Sequence, residues 1–411
     1  MARGITRAHH DEWARVVAAL TRRFGDLDVA EEAAAEAFAT AVDRWPVEGI
    51  PPNPGGWLTT TARRKAIDRL RRDGRRAEKH RLAQDLDASA PEESAGAIDD
   101  EQLRLLFICC HPVLPVESRV ALTLRMVGGL TVPEIARAFL VQESTMGQRI
   151  SRAKARLRSA GIPFQVPTDA DVPARLSGVL AVLYLIFNEG YLPSGAAGKP
   201  VRDELVMDAI RLARLLHGLV PNDGEVAGLL ALMLLAEARR ATRISADGEL
   251  ITLAEQNRGA WDHAMIADAR RLIDGARAGG GPPGRYLALA AISAAHASVD
   301  DARDTDWSAI VTWYDHLVRV DPSPIVLLNR AVAIAEVDGP AAAMETVEGL
   351  HDSLAGYHAY FAVRADIARR LGRVEEARSA YSRAIALAGN AAEKAYLARR
   401  RAELERRAAP S

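Results

Sequence analysis

The run Leu130–Leu157, LTVPEIARAFLVQESTMGQRISRAKARL, constrains this chain more than any other stretch. Ile135, Ala136 and Phe139 recur at helical spacing, and Met146, Ile150, Ala153 and Leu157 do so again after a polar break at Gln142-Glu143-Ser144. Two short amphipathic helices joined by a tight turn make a helix-turn-helix. The second helix then carries Thr145, Gln148, Arg149 and Arg152 on the face away from Met146 and Ile150. Such donors suit base edges and phosphates in a major groove, and Lys154 is placed with them as a further contact. An ordinary helical hairpin with a solvated basic face satisfies the same spacing.

A second basic element lies upstream. A proline-rich loop, Pro46–Pro54, leads through Trp57-Leu58 into a helix with Leu58, Ala62, Ala66, Ile67 and Leu70 on one side. Its other side carries Arg63, Arg64, Lys65, Arg69, Arg71 and Arg72. From Arg63 to Arg81 there are ten basic residues against three acidic ones. Cations at that density repel one another unless an anion takes them up, which points to phosphate contact. Asn53 and Trp57 stand at the start of this helix; an exposed aromatic there suits stacking on an unpaired base, but a tryptophan in that place is more often core.

Before it, Trp13–Trp45 reads as two helices broken at Gly25-Asp26, with Val16, Val17, Leu20 and Phe24 as one apolar stripe. Asp28 is the expected N-cap of the second helix. That helix turns Ala30, Ala33, Ala34, Ala37, Phe38 and Ala41 inward and shows Glu31, Glu32, Glu36 and Asp43 outward. A solvated acidic face explains these carboxylates without any partner.

Taken in order, these residues resemble the extracytoplasmic-function class of bacterial sigma factors. Leu130-Thr131, Glu134-Ile135-Ala136, Thr145-Met146 and Arg152-Ala153-Lys154-Ala155-Arg156 are similar to region 4. Asn53-Pro54, Trp57-Leu58, Ala62-Arg63 and Ala66-Ile67-Asp68-Arg69-Leu70-Arg71-Arg72 are similar to regions 2.3–2.4. One departure stands in the turn, where the family usually has glycine and this chain has Leu140. The resemblance implies that core RNA polymerase, through its β′ clamp and β flap, and promoter DNA are the partners. It implies −35 contact by Thr145, Gln148, Arg149, Arg152 and Lys154, and −10 reading and melting by Asn53, Trp57, Arg63, Arg64, Arg71 and Arg72. Core contact would fall to Asp28, Glu31, Glu32, Glu36 and Phe38.

Alanine, leucine and arginine dominate and period-two β-branched clusters are scarce, so the expected fold class is all-α. The net charge of −1 hides a split: residues 1–160 hold 25 Lys/Arg against 22 Asp/Glu, and the remainder 28 against 32. The longest apolar runs are too short to span a bilayer, and a signal peptide is not evident, so a cytoplasmic location without membrane contact is expected. The only cysteines, Cys109 and Cys110, are neighbours and poor disulfide partners; buried helix packing is expected of them. No cofactor is expected.

The chain then reads as five parts: 1–80, a linker at 81–98, the helix-turn-helix module at 99–162, a helical segment at 163–280 and a repeat region at 281–411. Pro163–Pro173 is the main boundary, Gly195–Gly198 a loop, and Gly279-Gly280-Gly281-Pro282-Pro283 a hinge. Beyond the hinge Ala331, Ala343, Val347 and Leu350 are matched 34 residues later by Ala365, Ala377, Tyr381 and Ala384. That is the tetratricopeptide period. The pentad Phe187-Asn188-Glu189-Gly190-Tyr191 resembles a signature of one long-tailed group of these sigma factors. It makes Asn188, Glu189 and Tyr191 candidates for an interdomain contact through which the tail docks on the front of the chain. A helix-turn-helix regulator with a repeat-type sensor domain is the rival reading; it leaves Asn53–Arg72 without a role. An enzyme is not expected, since no nucleotide-binding glycine loop or nucleophile–base pair is present.

Overall fold

The computed structural model describes residues 2–72, 97–139, 141–162, 172–191, 201–245, 250–389 and 391–408. Nearly all of the expected linker, the turn residue Leu140, most of the boundary Pro163–Pro173 and the loop Gly195–Gly198 lie outside the described residues. Among the described residues there are nineteen α-helices and no strand, so the chain is all-α. It divides into two compact units, Met1–Asn188 with Met207–Leu219, and Glu189–Val206 with Val220–Ser411.

In the first unit, α1 (Ala2–Phe24), α2 (Leu27–Glu48) and α3 (Pro54–Arg72) form a bundle. The alanines of α2 at 30, 33, 34, 37 and 41 are at most 1% exposed, and their small side chains let α1 and α3 approach closely. Asp26 caps α2, its carboxylate accepting from Asp28 N at 2.9 Å and Val29 N at 3.3 Å. The cap expected at Asp28 is therefore taken two residues earlier, which leaves the Asp28 carboxylate in the first turn for other partners. Asn53 caps α3 through Gly56 N at 2.9 Å, followed by Pro54, whose missing N–H costs nothing in a first turn.

The helix-turn-helix module comprises α4 (Ala97–Cys109), α5 (Val116–Met126), α6 (Val132–Ala138) and α7 (Glu143–Ser159). Thr131 and Glu134 form a reciprocal capping box at the start of α6, at 2.7 Å from Thr131 N and 3.4 Å from Glu134 N. Cys109 and Cys110 are buried and reduced, and burial pushes the Cys110 thiol up to about 11. The unit also takes in part of α8 (Val172–Tyr191) and of α9 (Val201–Leu219). Arg211 of α9 donates to the Gly128 carbonyl at 3.1 Å, so this helix supports the entry to the helix-turn-helix. The compact first unit thus runs past the boundary expected at 163–173: it includes most of α8 and part of α9, in which Leu183, Ile186, Leu212 and Leu216 are buried.

The second unit is built around α10 (Gly224–Ala238), which is apolar on nearly every side and buried along most of its length. It packs against α11 (His263–Ala278) and α12 (Arg285–Ala297). There follow α13 (Trp307–Val320), α14 (Pro324–Val337), α15 (Pro340–Gly349), the short α16 (His351–Leu354), α17 (His358–Arg370), α18 (Val374–Leu387) and α19 (Ala391–Ala408). The starts of α17 and α18 fall 34 residues after those of α14 and α15. Ala331, Ala343, Ala365 and Ala377 are fully buried where the paired helices meet. The period extends to polar contacts: Arg370 pairs with Glu336 at 2.6 Å and Arg400 with Asp366 at 3.3 Å, each across 34 residues.

His296 on α12 lies edge-on to Trp307 at 5.1 Å. Burial, with the nearby charges of Arg239 and Arg258, lowers its pKa to about 4. The unfolded chain therefore binds a proton between pH ~6.5 and ~4 that the folded chain refuses, and stability falls as pH drops through that window. Urea midpoints at pH 7 and pH 5 are expected to differ by less in His296→Phe than in the native chain.

Candidate nucleic-acid interface

On α7 the stripe Met146, Ile150, Ala153 and Leu157 is buried, each residue at most 4% exposed. That packing turns Thr145, Gln148 and Arg152 into solvent, with Arg149 half-buried beside them. A cleft of about 330 Å³ separates this face from the start of α5 at Leu114–Ser118. Arg156 lines the same cleft. Sequence reasoning left Arg156 out of the contact set, although its position one helical turn beyond Arg152 could have found it.

Lys154 is corrected. It leaves α7 on another side, is only 8% exposed, and its ammonium lies 2.5 Å from Asp28 Oδ1 and 2.7 Å from Glu31 Oε2 on α2. Burial pulls its pKa down, but the two carboxylates win and raise it above the ordinary lysine value. A lysine held in this way is fully charged at neutral pH and turned away from Thr145, Gln148 and Arg152.

On α3, Arg64 and Arg71 are exposed and Arg63 is half-buried. The side chain of Arg72 lies outside the described residues. Lys65 and Arg69 turn toward α2 instead, Arg69 reaching Glu32 at 2.5 Å and both reaching Glu36 at 3.9 Å. Asn53 is exposed and spent as a cap. Trp57 is half-buried, packed edge-on against the buried Trp45 at 5.5 Å, so it serves the core at least in part. Replacing Arg64 and Arg71 together with alanine is expected to leave stability within about 0.5 kcal/mol, since both are exposed. The salt slope of DNA binding should fall by roughly two, as two counterions are no longer released. Titrations between about 50 and 200 mM salt measure it; an unchanged slope would return these arginines to a solvated face.

The five residues expected on the polymerase face of α2 are all engaged. Asp28 meets Lys154 and Arg158, and Glu31 is 9% exposed between Lys154 and Arg125, the latter at 2.6 Å. Glu32 and Glu36 face the cations of α3 while remaining partly exposed. Phe38 packs inward as its spacing on α2 predicts, which corrects the polymerase contact implied for it: it is 6% exposed, with His9 at 4.8 Å and Trp13 at 5.6 Å against its ring. Although burial pushes the Asp28 carboxyl up, Lys154 and Arg158 hold it below its ordinary value.

Of the pentad, Phe187 is buried and Asn188 and Glu189 are half-buried at the end of α8. Tyr191 is tied into the second unit. Its hydroxyl donates to the Ala236 carbonyl at 3.3 Å, and Arg243 lies 3.9 Å over its ring and donates to its carbonyl at 3.1 Å. This is a packed knot within one unit.

Two elements of this geometry, a basic helix after a capped Asn-Pro and a helix-turn-helix with an exposed donor face, match families by sequence. Residues 10–76 match the family described as Sigma-70 region 2, and residues 104–157 that described as Sigma-70, region 4. Residues 175–277 match a family of unknown function, DUF6596. An uncharacterized protein of Rhizobium meliloti (strain 1021) is 45% identical over 391 residues, covering 93% of this chain and 92% of that protein. The ECF RNA polymerase sigma factor SigK of Mycobacterium ulcerans (strain Agy99) is 27% identical over 173 residues, covering 39% of this chain and 90% of its own length. No solved structure matches the chain.

Proposed function

Because the chain belongs to the family of that Rhizobium protein and carries sigma-70 regions 2 and 4, we propose that it is a sigma factor of the extracytoplasmic-function type. It binds core RNA polymerase, reads the −35 element with Thr145, Gln148, Arg149, Arg152 and Arg156, and opens the −10 element with the basic side of α3. The observation that supports this reading is that one unit presents two separate faces with exposed cations, on α3 and on α7. A lone helix-turn-helix regulator needs only α6 and α7 and has no use for exposed arginines on α3. Core contact runs along α2, where Glu32 and Glu36 retain exposure and Asp28 and Glu31 stand at the helix start.

The C-terminal part, with its repeating helix pairs and its net negative charge, regulates the front part by binding rather than by chemistry. Stacked small-residue helix pairs make binding surfaces, and tethering gives even a weak contact a high effective concentration. The reading is tested by gel shift on the gene's own upstream duplex, with and without core polymerase. A sigma factor shifts the duplex specifically only with core. Tight, dimeric binding without core favours the regulator. A chain ending at Leu219, which keeps α8 and α9, then reports the effect of the remainder on core binding.

A further inference from the structure

Residues of α2 that face polymerase in the proposed function are already occupied by another part of the same chain. Glu31 places one oxygen 2.6 Å from Arg125 Nε and the other 2.7 Å from the Lys154 ammonium. Lys154 also reaches Asp28 at 2.5 Å, and Arg158 pairs with Asp28 and, at 3.4 Å, with Asp26. Arg125 is fixed in turn: Trp13 Nε1 donates to its carbonyl at 3.2 Å, its guanidinium lies 5.4 Å over the Trp13 ring, and it donates to the Leu130 carbonyl at 2.8 Å. Gly129, at φ +78°, brings the chain so close to α1 that an added Cβ would lie 3.0 Å from His9 and 3.1 Å from Trp13. Isolated surface ion pairs contribute little, but buried charges persist only where each finds a partner, as here.

We propose that the acidic start of α2 is an intramolecular docking surface for α7, and that core polymerase must displace α7 to reach it. The inference rests on the sigma-factor reading. Its consequence is asymmetric. Lys154 leaves α7 on the side away from Thr145, Gln148 and Arg152, so the closed chain buries Glu31 and pairs Asp28, whose side chain stays 41% exposed, while the DNA-reading face stays in solvent. Only the open fraction of the chain is competent for core, and the apparent affinity is weakened by that fraction. A protein that carries its own cover for the clamp-facing helix has a threshold for activation set by three cations, Arg125, Lys154 and Arg158.

The test uses the full-length chain. Spin labels on exposed Arg44 of α2 and exposed Ser159 of α7 report the separation of the two elements, and titration with fluorescent core reports affinity. In Lys154→Ala with Arg158→Ala, the separation is expected to broaden and core binding to tighten about tenfold, as the closed state keeps only the Arg125–Glu31 pair. Arg158→Ala alone, at an exposed position that leaves Glu31 paired, should move both readouts the same way by less, and circular dichroism confirms the helical content of each variant. A widened separation with unchanged or weaker core binding overturns the proposal and leaves the sigma reading intact. So does a separation that neither variant moves. Absence of core binding by the native chain and the opened variants alike overturns both.

Discussion

Replacing Arg149 and Arg152 together with alanine is expected to abolish promoter-specific binding. Each arginine that grips a base edge with two hydrogen bonds is worth about 1–3 kcal/mol of discrimination, so the pair together governs on the order of 10²–10⁴ in affinity. The structure supports a clean loss. Arg152 is exposed and Arg149 half-buried at the rim of the cleft, while the buried stripe of α7 runs along Met146, Ile150, Ala153 and Leu157. Alanine is also the best helix former, so α7 should keep its shape and the chain its melting temperature. Binding of holoenzyme to duplexes with single changes in the −35 element separates base reading from phosphate grip. If the variant loses affinity equally for every sequence, the arginines hold phosphate only. If it binds as the native chain does, α7 is not the reading helix.

The second large effect falls on stability. Gly228 lies in the middle of α10, where a Cβ would sit 2.4 Å from Leu287 N and 2.6 Å from Leu287 Cα. Those are backbone atoms at the start of α12, and they cannot swing aside as a side-chain tip can. The same approach lets Glu225 accept from Tyr286 N at 2.9 Å and Leu287 N at 3.0 Å, so its carboxylate caps α12 from the neighbouring helix. Gly228→Ala must part α10 from α12 and lengthen both hydrogen bonds. Overpacking of this kind costs roughly 2–4 kcal/mol even after the gain in helix propensity. Urea unfolding should show an earlier transition for the second unit, with the first unit unchanged. A midpoint equal to that of the native chain would show that the helices separate freely.

These two positions differ in how plainly the sequence announces them. Arg149 and Arg152 follow from periodicity, because a buried stripe at Met146, Ile150, Ala153 and Leu157 fixes which residues must face away. The all-α class is legible for the same reason, and so is the 34-residue spacing that separates α14 and α15 from α17 and α18. Gly228 carries no such signal. A glycine in an apolar helix reads as a weak point until the neighbour that touches it is known. Lys154 shows the limit most sharply. It sits next to the buried stripe, at the flank of α7, where spacing alone allows either solvent or packing. Its fate is decided by Asp28 and Glu31, more than 120 residues away in sequence. Asp28 in turn is available only because Asp26 takes the cap, a choice between two like residues that propensity cannot make. Phe38 follows the periodicity of α2 and packs inward against His9 and Trp13; only the polymerase contact that the resemblance implied for it is lost.

Run-off transcription with purified core polymerase, on the gene's own upstream region as template, tests the central claim most directly. The account predicts a transcript of single length that requires both core and this chain, and that disappears with the Arg149→Ala and Arg152→Ala double variant. No transcript under any condition, from a chain that binds the same duplex tightly without core, would contradict it.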